Sequence, residues 1–266
     1  MMEVIRAVNL SKIYRTHEKP EGFRNSIADF FHRKYAEKEA VSGLSFSIRE
    51  GEAVGLLGEN GAGKTTTLKM LSGILYPSGG SLSVMGEEPW KRKREFLKKI
   101  AFVMGNKSDM NWDLPAADTF AYQKLLYGIP EREYRGNLKR LTEMLRLNAS
   151  LLNTQVRRLS LGERMKVELV NSFLYSPRLI FLDEPTIGLD IGSQDAIRDF
   201  IREYRRENGA SILLTSHDMA DIENTCDRVL ILKKGRLAHE RNVEELKKKS
   251  GSFREIMKEL LEGEGQ

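Results

Sequence analysis

An eight-residue loop between an apolar segment and a helical segment constrains this sequence more than any other feature. Gly58 to Thr65 reads G-E-N-G-A-G-K-T, which matches the pattern G-x-x-x-x-G-K-[ST] in full. Residues 53–57 read A-V-G-L-L, typical of a short buried strand, and residues 66–75 are typical of a helix. A strand, a glycine-rich loop and a helix in this order predict an α/β core.

This loop is predicted to bind the phosphates of a nucleoside triphosphate. Its glycines allow turns that are closed to residues with a Cβ atom, so that backbone N–H groups point at phosphate oxygens. Lys64 supplies a charge for the β and γ phosphates and is also assigned a catalytic role, while Thr65 supplies a hydroxyl ligand for Mg²⁺. The predicted nucleotide-binding residues are Gly58, Glu59, Asn60, Gly61, Ala62, Gly63, Lys64, Thr65 and Thr66.

The composition indicates a soluble globular protein that needs another chain for any membrane role. The 266 residues are 40% hydrophobic and 30% charged, an ordinary balance for a globular domain. Cys226 is the single cysteine, which excludes an internal disulfide and favours a reducing compartment. No segment approaches the ~18–20 apolar residues of a membrane-spanning helix, and the first ten residues lack the apolar core of a signal sequence.

The basic residues do not predict a nucleic-acid partner. The net charge is +5, and the densest basic run is K-R-K-R at 91–94. Glu95 and Phe96 interrupt this run, and it lacks the interleaved aromatic residues on which bases stack. A solvated helix face therefore explains the run, and we expect no binding of nucleic acid.

An apolar run that ends in two acids supplies chemistry that the phosphate loop lacks. Residues 179–182 read L-I-F-L and precede Asp183, Glu184 and Pro185. This pattern is typical of a buried parallel strand, whose carboxyl end lies at the ligand-binding edge of an α/β sheet. Asp183 is expected to hold Mg²⁺, and Glu184 is expected to polarise the water that attacks the γ phosphate.

Four further motifs accompany the loop and the acids. The first, L-S-L-G-E at 159–163, could by itself equally be a helix start with a serine cap and a glutamate three residues later. The other three motifs, L-S-K-I-Y, G-L-D and T-S-H-D, lie at 10–14, 188–190 and 215–218. In this order, the motifs resemble those of ATP-binding cassette (ABC) ATPases over roughly Val4 to Leu237.

The resemblance implies roles for five more residues. Ser160 and the backbone of Gly162 would contact the γ phosphate held by an opposite subunit, and Asp190 would lie beside the nucleotide. His217 would contact the γ phosphate and position the water, although a lone histidine at a strand end is more often structural. Tyr14 would stack its ring on the adenine base.

The resemblance also implies the fold class, an α/β ABC ATPase cassette. It would combine a phosphate-loop core, an antiparallel β subdomain and a helical subdomain at about 106–175. We place the cassette at 1–240 and a charged helical C-terminal tail at 241–266. Antiparallel strands are expected from Val4 to about Ile48 and from Gly80 to Gly105. The clearest predicted helices are Phe120–Leu126, Leu138–Leu147 and Arg164–Tyr175.

Two features depart from the family pattern. The family carries a glutamine that binds Mg²⁺ where this chain has Asn106, one methylene shorter, or Gly105 in a tighter register. We predict that Asn106 acts on the metal through a bridging water. The other departure is an insertion at 15–40, which favours a helix packed on its own domain or docked at a membrane surface. One face of that helix would carry Phe23, Ile27, Phe30, Phe31 and Tyr35.

By resemblance, the chain is the ATP-binding and ATP-hydrolysing subunit of an ABC-2 type exporter, with ATP and Mg²⁺ as cofactors. Two copies would form a homodimer through their ATP sites. Closure of the dimer would drive a separate integral membrane permease subunit, at the cytoplasmic face of the cell membrane. The alternatives are a soluble ABC ATPase that acts as an assembly scaffold and, among transporters, a polysaccharide exporter ATPase.

Overall fold

The structure, a computed structural model, describes residues 2–17 and 35–262. The amphipathic helix predicted at 23–35 lies outside this part of the chain, except for Tyr35, which begins a strand. None of the helices in the described ranges has the length and apolar content of a membrane span.

The described chain contains nine strands in two sheets. The strands are β1 (Glu3–His17), β2 (Tyr35–Arg49), β3 (Ala53–Gly58), β4 (Gly79–Val84), β5 (Ile100–Met104), β6 (Leu179–Asp183), β7 (Ser211–Thr215), β8 (Arg228–Lys233) and β9 (Arg236–Asn242). An antiparallel sheet has the order β2-β1-β4, and a central sheet has the order β5-β6-β7-β3-β8-β9. Neighbours in the central sheet are parallel except β8 and β9.

Ten α-helices are described around these sheets. They are α1 (Lys64–Leu71), α2 (Arg94–Leu97), α3 (Ala116–Tyr127), α4 (Glu131–Met144), α5 (Ala149–Leu152), α6 (Leu161–Phe173), α7 (Ile191–Asn208), α8 (Met219–Thr225), α9 (Val243–Lys247) and α10 (Phe253–Glu262). Two short 3₁₀ helices occupy Pro89–Lys91 and Val156–Arg158. Gly128 and Gly209 end α3 and α7 in the left-handed conformation, at φ 66° and 60°, which is common for a glycine after a helix.

The two faces of the central sheet pack against different layers. Every residue of β3, β6 and β7 is buried, as expected for parallel strands covered on both faces. On one face, Phe181 shares a core cluster with Leu68 of α1 and with the antiparallel sheet. On the other face, Leu182 shares a cluster with Phe173 of α6 and with α7. Helix α1, which follows the phosphate loop, therefore packs in one apolar cluster with residues of the central sheet and of the antiparallel sheet.

Strand β5 corrects the predicted extent of the antiparallel sheet. The prediction placed antiparallel strands up to Gly105, but Ile100–Met104 pairs in parallel with β6 in the central sheet. An apolar pattern indicates a strand without indicating the direction of its partner. Strands β1 and β2 also extend into the predicted insertion, where His17 is paired with Tyr35.

The predicted helices are present with different bounds. The prediction Phe120–Leu126 lies inside α3, Leu138–Leu147 overlaps α4, and Arg164–Tyr175 overlaps α6. Near the C-terminus, α9 and α10 follow β9. Phe253, Ile256 and Met257 of α10 are buried in the same cluster as α6 and α7, so this end of the described chain packs onto the central core.

Candidate functional site

A cavity of about 730 Å³ lies where β3, β6 and β7 end. It is lined by most of the predicted site residues: Tyr14, Gly58, Glu59, Asn60, Gly61, Gly63, Lys64, Thr65, Thr66, Asn106, Asp183, Glu184 and His217. The carboxyl edge of parallel strands is the common ligand-binding edge of α/β sheets. Four predicted residues do not line the cavity, namely Ala62, Ser160, Gly162 and Asp190.

The phosphate loop adopts a conformation that needs its glycines. Gly61 and Gly63 have φ of 84° and 101°, values that residues with a Cβ rarely adopt. A Cβ at Gly63 would also lie 2.5 Å from the carbonyl oxygen of Ala40. The Lys64 side chain is 7% exposed and donates from Nζ to the carbonyl oxygen of Gly58 at 2.7 Å. The lysine charge therefore lies over the loop, at the N-terminus of α1, where anions are favoured.

Asp183 and Thr65 bring oxygen ligands together at one side of the cavity. The Thr65 hydroxyl donates to the two carboxylate oxygens of Asp183 at 2.9 and 2.8 Å. Thr215 Oγ1 donates to Asp183 Oδ1 at 2.7 Å, which fixes the orientation of this buried carboxylate. Carboxylate and hydroxyl oxygens are the ligands that Mg²⁺ takes in nucleotide sites, so this donor set fits the predicted ion.

Glu184 lies between a histidine and a lysine. Its Oε2 is 2.7 Å from His217 Nδ1 and accepts the backbone N–H of His217 at 3.2 Å. Its Oε1 is 3.6 Å from Lys64 Nζ. Glu184 has φ of 54°, and its backbone N–H donates to Thr215 Oγ1 at 3.0 Å. A non-glycine residue keeps a left-handed conformation only when neighbouring groups hold it there. The contacts of Glu184 with His217 and Thr215 have this effect.

Asn106, rather than Gly105, presents its side chain to the cavity. The Gly105 backbone N–H donates to the Asp183 carbonyl oxygen at 2.8 Å. A Cβ on Gly105 would lie 2.0 Å from the carbonyl oxygen of Glu184. The glycine therefore permits a close approach that brings Asn106 beside the two acids.

Ser160 and Asp190 lie on a second surface apart from the cavity, and Gly162 is buried between them. Ser160 caps α6 in a capping box, in which Glu163 Oε2 accepts from the backbone N–H and the hydroxyl of Ser160, each at 2.9 Å. A Cβ on Gly162 would lie 2.2 Å from Ser193 Oγ and 3.3 Å from Asp190 Oδ2. The hydroxyl and backbone N–H of Ser193 donate to Asp190 and hold the pKa of its carboxyl below the usual value. The alternative prediction of a capped helix start is confirmed.

Comparison with known proteins identifies the family of this chain. The family described as ABC transporter matches residues 41–187. The chain belongs to the ABC transporter family. It is 34% identical over 216 residues to the ABC transporter ATP-binding protein NatA of Bacillus subtilis (strain 168), which covers 81% of this chain and 87% of that protein. It is 33% identical to the Nod factor export ATP-binding protein I of Burkholderia orbicola (strain AU 1054), with 82% and 69% coverage.

Solved structures of ABC proteins share the fold. An ATP-binding subunit of an ABC transporter matches with a TM-score of 0.77 and 26% identity, over 97% of this chain and 99% of that chain. A dimeric cassette, MJ0796 bound to ADP and Pi, matches with a TM-score of 0.74 over 90% and 98%, although identity is 21%. The family and fold class predicted from the motifs are confirmed, and the chain is an ATP-hydrolysing, ATP-binding subunit of an ABC transporter.

One lysine of this ABC subunit lines the cavity without having been predicted. Lys38 of β2 pairs directly with Tyr14 of β1, and both residues line the cavity. Lys12 Nζ lies 5.6 Å from the centre of the Tyr14 ring. Lys38 belongs to no motif, because its place beside Tyr14 depends on the register of the two strands. Side chains alternate between the two faces of β2, but this alternation places Lys38 beside Tyr14 only when the register of β1 and β2 is known.

Proposed function

We propose that this chain hydrolyses ATP as a homodimer and thereby powers an exporter through a separate membrane subunit. One observation carries the proposal: the residues expected around one ATP are divided between two surfaces of the same chain. The cavity holds the phosphate loop, the acids and His217, whereas Ser160 and Gly162 lie elsewhere. A head-to-tail pair of copies would join the cavity of each copy to the Ser160 surface of the other.

In the proposed mechanism, each cavity residue acts on a different part of MgATP. Lys64 neutralises charge on the β and γ phosphates. Glu184 accepts a proton from the attacking water, and His217 orients Glu184 and the γ phosphate. Thr65 and Asp183, with Asn106 through a water, would hold Mg²⁺, and the bound ion would neutralise charge that develops on the phosphates. Tyr14 would stack on the adenine base, and Lys38, which pairs with Tyr14, would lie beside it.

The surface beside Ser160 supports pairing of two copies. Leu161 is 40% exposed and Ile191 is 76% exposed, so large apolar side chains flank the capping box and Asp190. Exposed apolar residues that lie together are typical of interaction sites. A cassette of the same fold forms a dimer. We propose that Ser160, the backbone of Gly162, and Asp190 complete the ATP site of the partner copy.

A membrane partner is proposed on the side of the helical segment 106–175. A groove of about 250 Å³ near Asn106 is lined by Trp112, Leu161 and Arg164, among others. Trp112 is 50% exposed and Leu114 is 42% exposed. The relative named for Nod factor export supports an exporter, with this chain at the cytoplasmic face of the membrane. The cargo is then recognised by the membrane subunit, whereas neither of the two relatives is named for a scaffold function.

The proposal is tested by the oligomeric state of a variant that binds ATP without hydrolysing it. Glu184→Gln keeps the shape of the side chain and removes the base, so turnover should fall by at least about 10²-fold and ATP should hold the chain as a dimer in light scattering. Lys64→Ala is the control, because it loses the phosphate charge and should remain monomeric with ATP. A Glu184→Gln variant that stays monomeric at saturating MgATP would contradict the proposal.

A further inference from the structure

The carboxylate of Asp221 joins three separate parts of the fold. Asp221 lies on α8 and is 2% exposed. Its Oδ2 accepts the hydroxyl of Thr186 at 2.5 Å and the hydroxyl of Ser216 at 2.6 Å. Its Oδ1 accepts Nε of Arg198 at 2.7 Å. Thr186 lies in the loop after β6, Ser216 follows β7, and Arg198 belongs to α7.

The two hydroxyl donors lie next to the proposed hydrolytic residues along the chain. Ser216 directly precedes His217, and Thr186 follows Glu184 by two residues. Asp221 is therefore bonded to both loops that bring the Glu184 carboxylate and the His217 ring within 2.7 Å of each other. Because Glu184 has a left-handed φ of 54°, its loop needs such support to keep its conformation.

The charge of Asp221 is balanced without these hydroxyls. Arg198, which is 8% exposed, contacts Asp221 and also donates to Asp218 at 2.7 Å and to Asp195 at 3.0 Å. A buried carboxylate needs an ionic partner, and the guanidinium group supplies it. The hydrogen bonds from Thr186 and Ser216 are therefore not needed to balance the charge of Asp221. Their effect is to fix the positions of the two loops.

We propose that Asp221 is a positioning residue for ATP hydrolysis, which acts through Thr186 and Ser216 to set the separation of Glu184 and His217. Asp221 does not line the cavity. The inference rests on the proposed function, because it takes Glu184 as the base and His217 as its orienting partner.

The test removes the two hydroxyls and keeps the ion pair. The double variant Thr186→Val/Ser216→Ala retains Arg198 and Asp221, so the buried charges remain paired. Its kcat for ATP hydrolysis should fall by about 10²-fold, as for a misplaced catalytic group, while KM and the Kd for ATP should change by less than about twofold. The two single variants should each give part of the loss in kcat.

Two matched variants separate positioning from a general loss of stability. Thr225 lies on the same helix, is buried, and donates its hydroxyl to the main-chain oxygen of Asp221 at 2.6 Å. Thr225→Val removes an equivalent buried hydroxyl and should keep kcat within about twofold of the unmodified chain. Thr186→Ser keeps the donor and should retain kcat as well.

The outcomes distinguish this inference from the proposed function. If the double variant keeps its kcat while Glu184→Gln abolishes turnover, the role of Asp221 is overturned and the proposed function stands. An equal loss of kcat in Thr225→Val would also overturn the role of Asp221. Turnover that persists in Glu184→Gln would overturn the proposed function and this inference with it.

Discussion

His217 Nδ1 and Glu184 Oε2 are 2.7 Å apart, and the same carboxylate oxygen accepts the backbone N–H of His217 at 3.2 Å. The ring and the backbone N–H of His217 therefore both contact one carboxylate oxygen of Glu184, the proposed base. The other oxygen lies 3.6 Å from Lys64 Nζ. The carboxylate is thus oriented from two sides, as an activated base requires.

Replacing the histidine should remove hydrolysis and spare binding. We expect His217→Ala to lower single-turnover hydrolysis by about 10²-fold or more, because the base loses its orienting partner. The Kd for ATP should change little, since the phosphate loop is intact. His239→Ala, on the edge strand β9, is the control and should hydrolyse ATP normally. Single-turnover rates near those of the unmodified chain would remove His217 from the mechanism.

A bulky charge at the start of α6 should destroy hydrolysis in the dimer. Ser160→Arg should abolish turnover because the arginine side chain would fill the space of the partner's γ phosphate. Binding of ATP to the isolated chain, measured by calorimetry, should persist, because Ser160 does not line the cavity of its own chain. Retained turnover would argue against an ATP site shared by two copies.

Mixing two inactive variants gives a sharper version of this experiment. In a head-to-tail dimer of Ser160→Arg with Lys64→Ala, one ATP site receives both defects and the other receives none. The mixture should therefore recover part of the normal rate, with an upper limit of about half, because each mixed dimer has one intact site of two. A site built within one chain predicts no recovery.

Asn106 should affect the Mg²⁺ requirement. We expect Asn106→Ala to raise the free Mg²⁺ needed for half-maximal ATPase activity by about tenfold, as for loss of an indirect metal contact. Asn106→Gln restores the longer family side chain and should lower that requirement. Asn111→Ala is the control, because Asn111 is exposed and does not line the cavity. Identical Mg²⁺ titrations for all of the variants would exclude a metal role for Asn106.

The buried acid Glu168 should make stability depend on pH. Glu168 is 4% exposed, and burial raises the pKa of its carboxyl above 4.5, although Ser108 Oγ donates to it at 2.6 Å. Because the folded state favours the protonated form, its contribution to stability is present below pH 4.5 and is lost as pH rises through the raised pKa. Glu168→Gln removes this loss.

The measurement compares the free energy of unfolding of the two chains from pH 4.5 upward by urea denaturation. The advantage of Glu168→Gln over the unmodified chain should grow as pH rises through the raised pKa of Glu168 and then level off. The glutamine still offers an oxygen to the backbone N–H of Asp109, which donates to Glu168 at 3.1 Å. A constant difference between the two chains at all pH values would contradict the prediction.

Local motifs made most of the cavity predictable. The phosphate loop and the two acids at the end of β6 each follow a buried strand, and the carboxyl ends of parallel strands lie at one edge of the sheet. Lys38 and Asp221 could not be predicted in this way. The first depends on the register between β1 and β2, and the second on contacts among three separate parts of the chain.

The direction of a strand and the first residue of a helix were predicted less well than the cavity. β5 has the apolar pattern of a strand, but its parallel pairing with β6 follows from the long connection through α3 to α6, which the pattern of β5 does not contain. The start of α6 at Leu161 was within reach, since Ser160 and Glu163 have the spacing of a capping box. The bounds Arg164–Tyr175 rest on the apolar residues alone, whereas the alternative of a capped start rests on Ser160 and Glu163 and agrees with the observed helix.

That cap has a consequence for association. Glu163 accepts hydrogen bonds from the backbone N–H and the hydroxyl of Ser160, and in the proposed dimer this hydroxyl would instead donate to a phosphate oxygen of the partner's ATP. When the proposed dimer forms around ATP, a phosphate group would replace the Glu163 carboxylate at the N-terminus of α6. The displaced carboxylate would then need water or a cation as its new partner. The free energy of dimer formation therefore includes the cost of displacing the Glu163 carboxylate from Ser160. The substitution Glu163→Gln, which removes this negative charge, would strengthen the association.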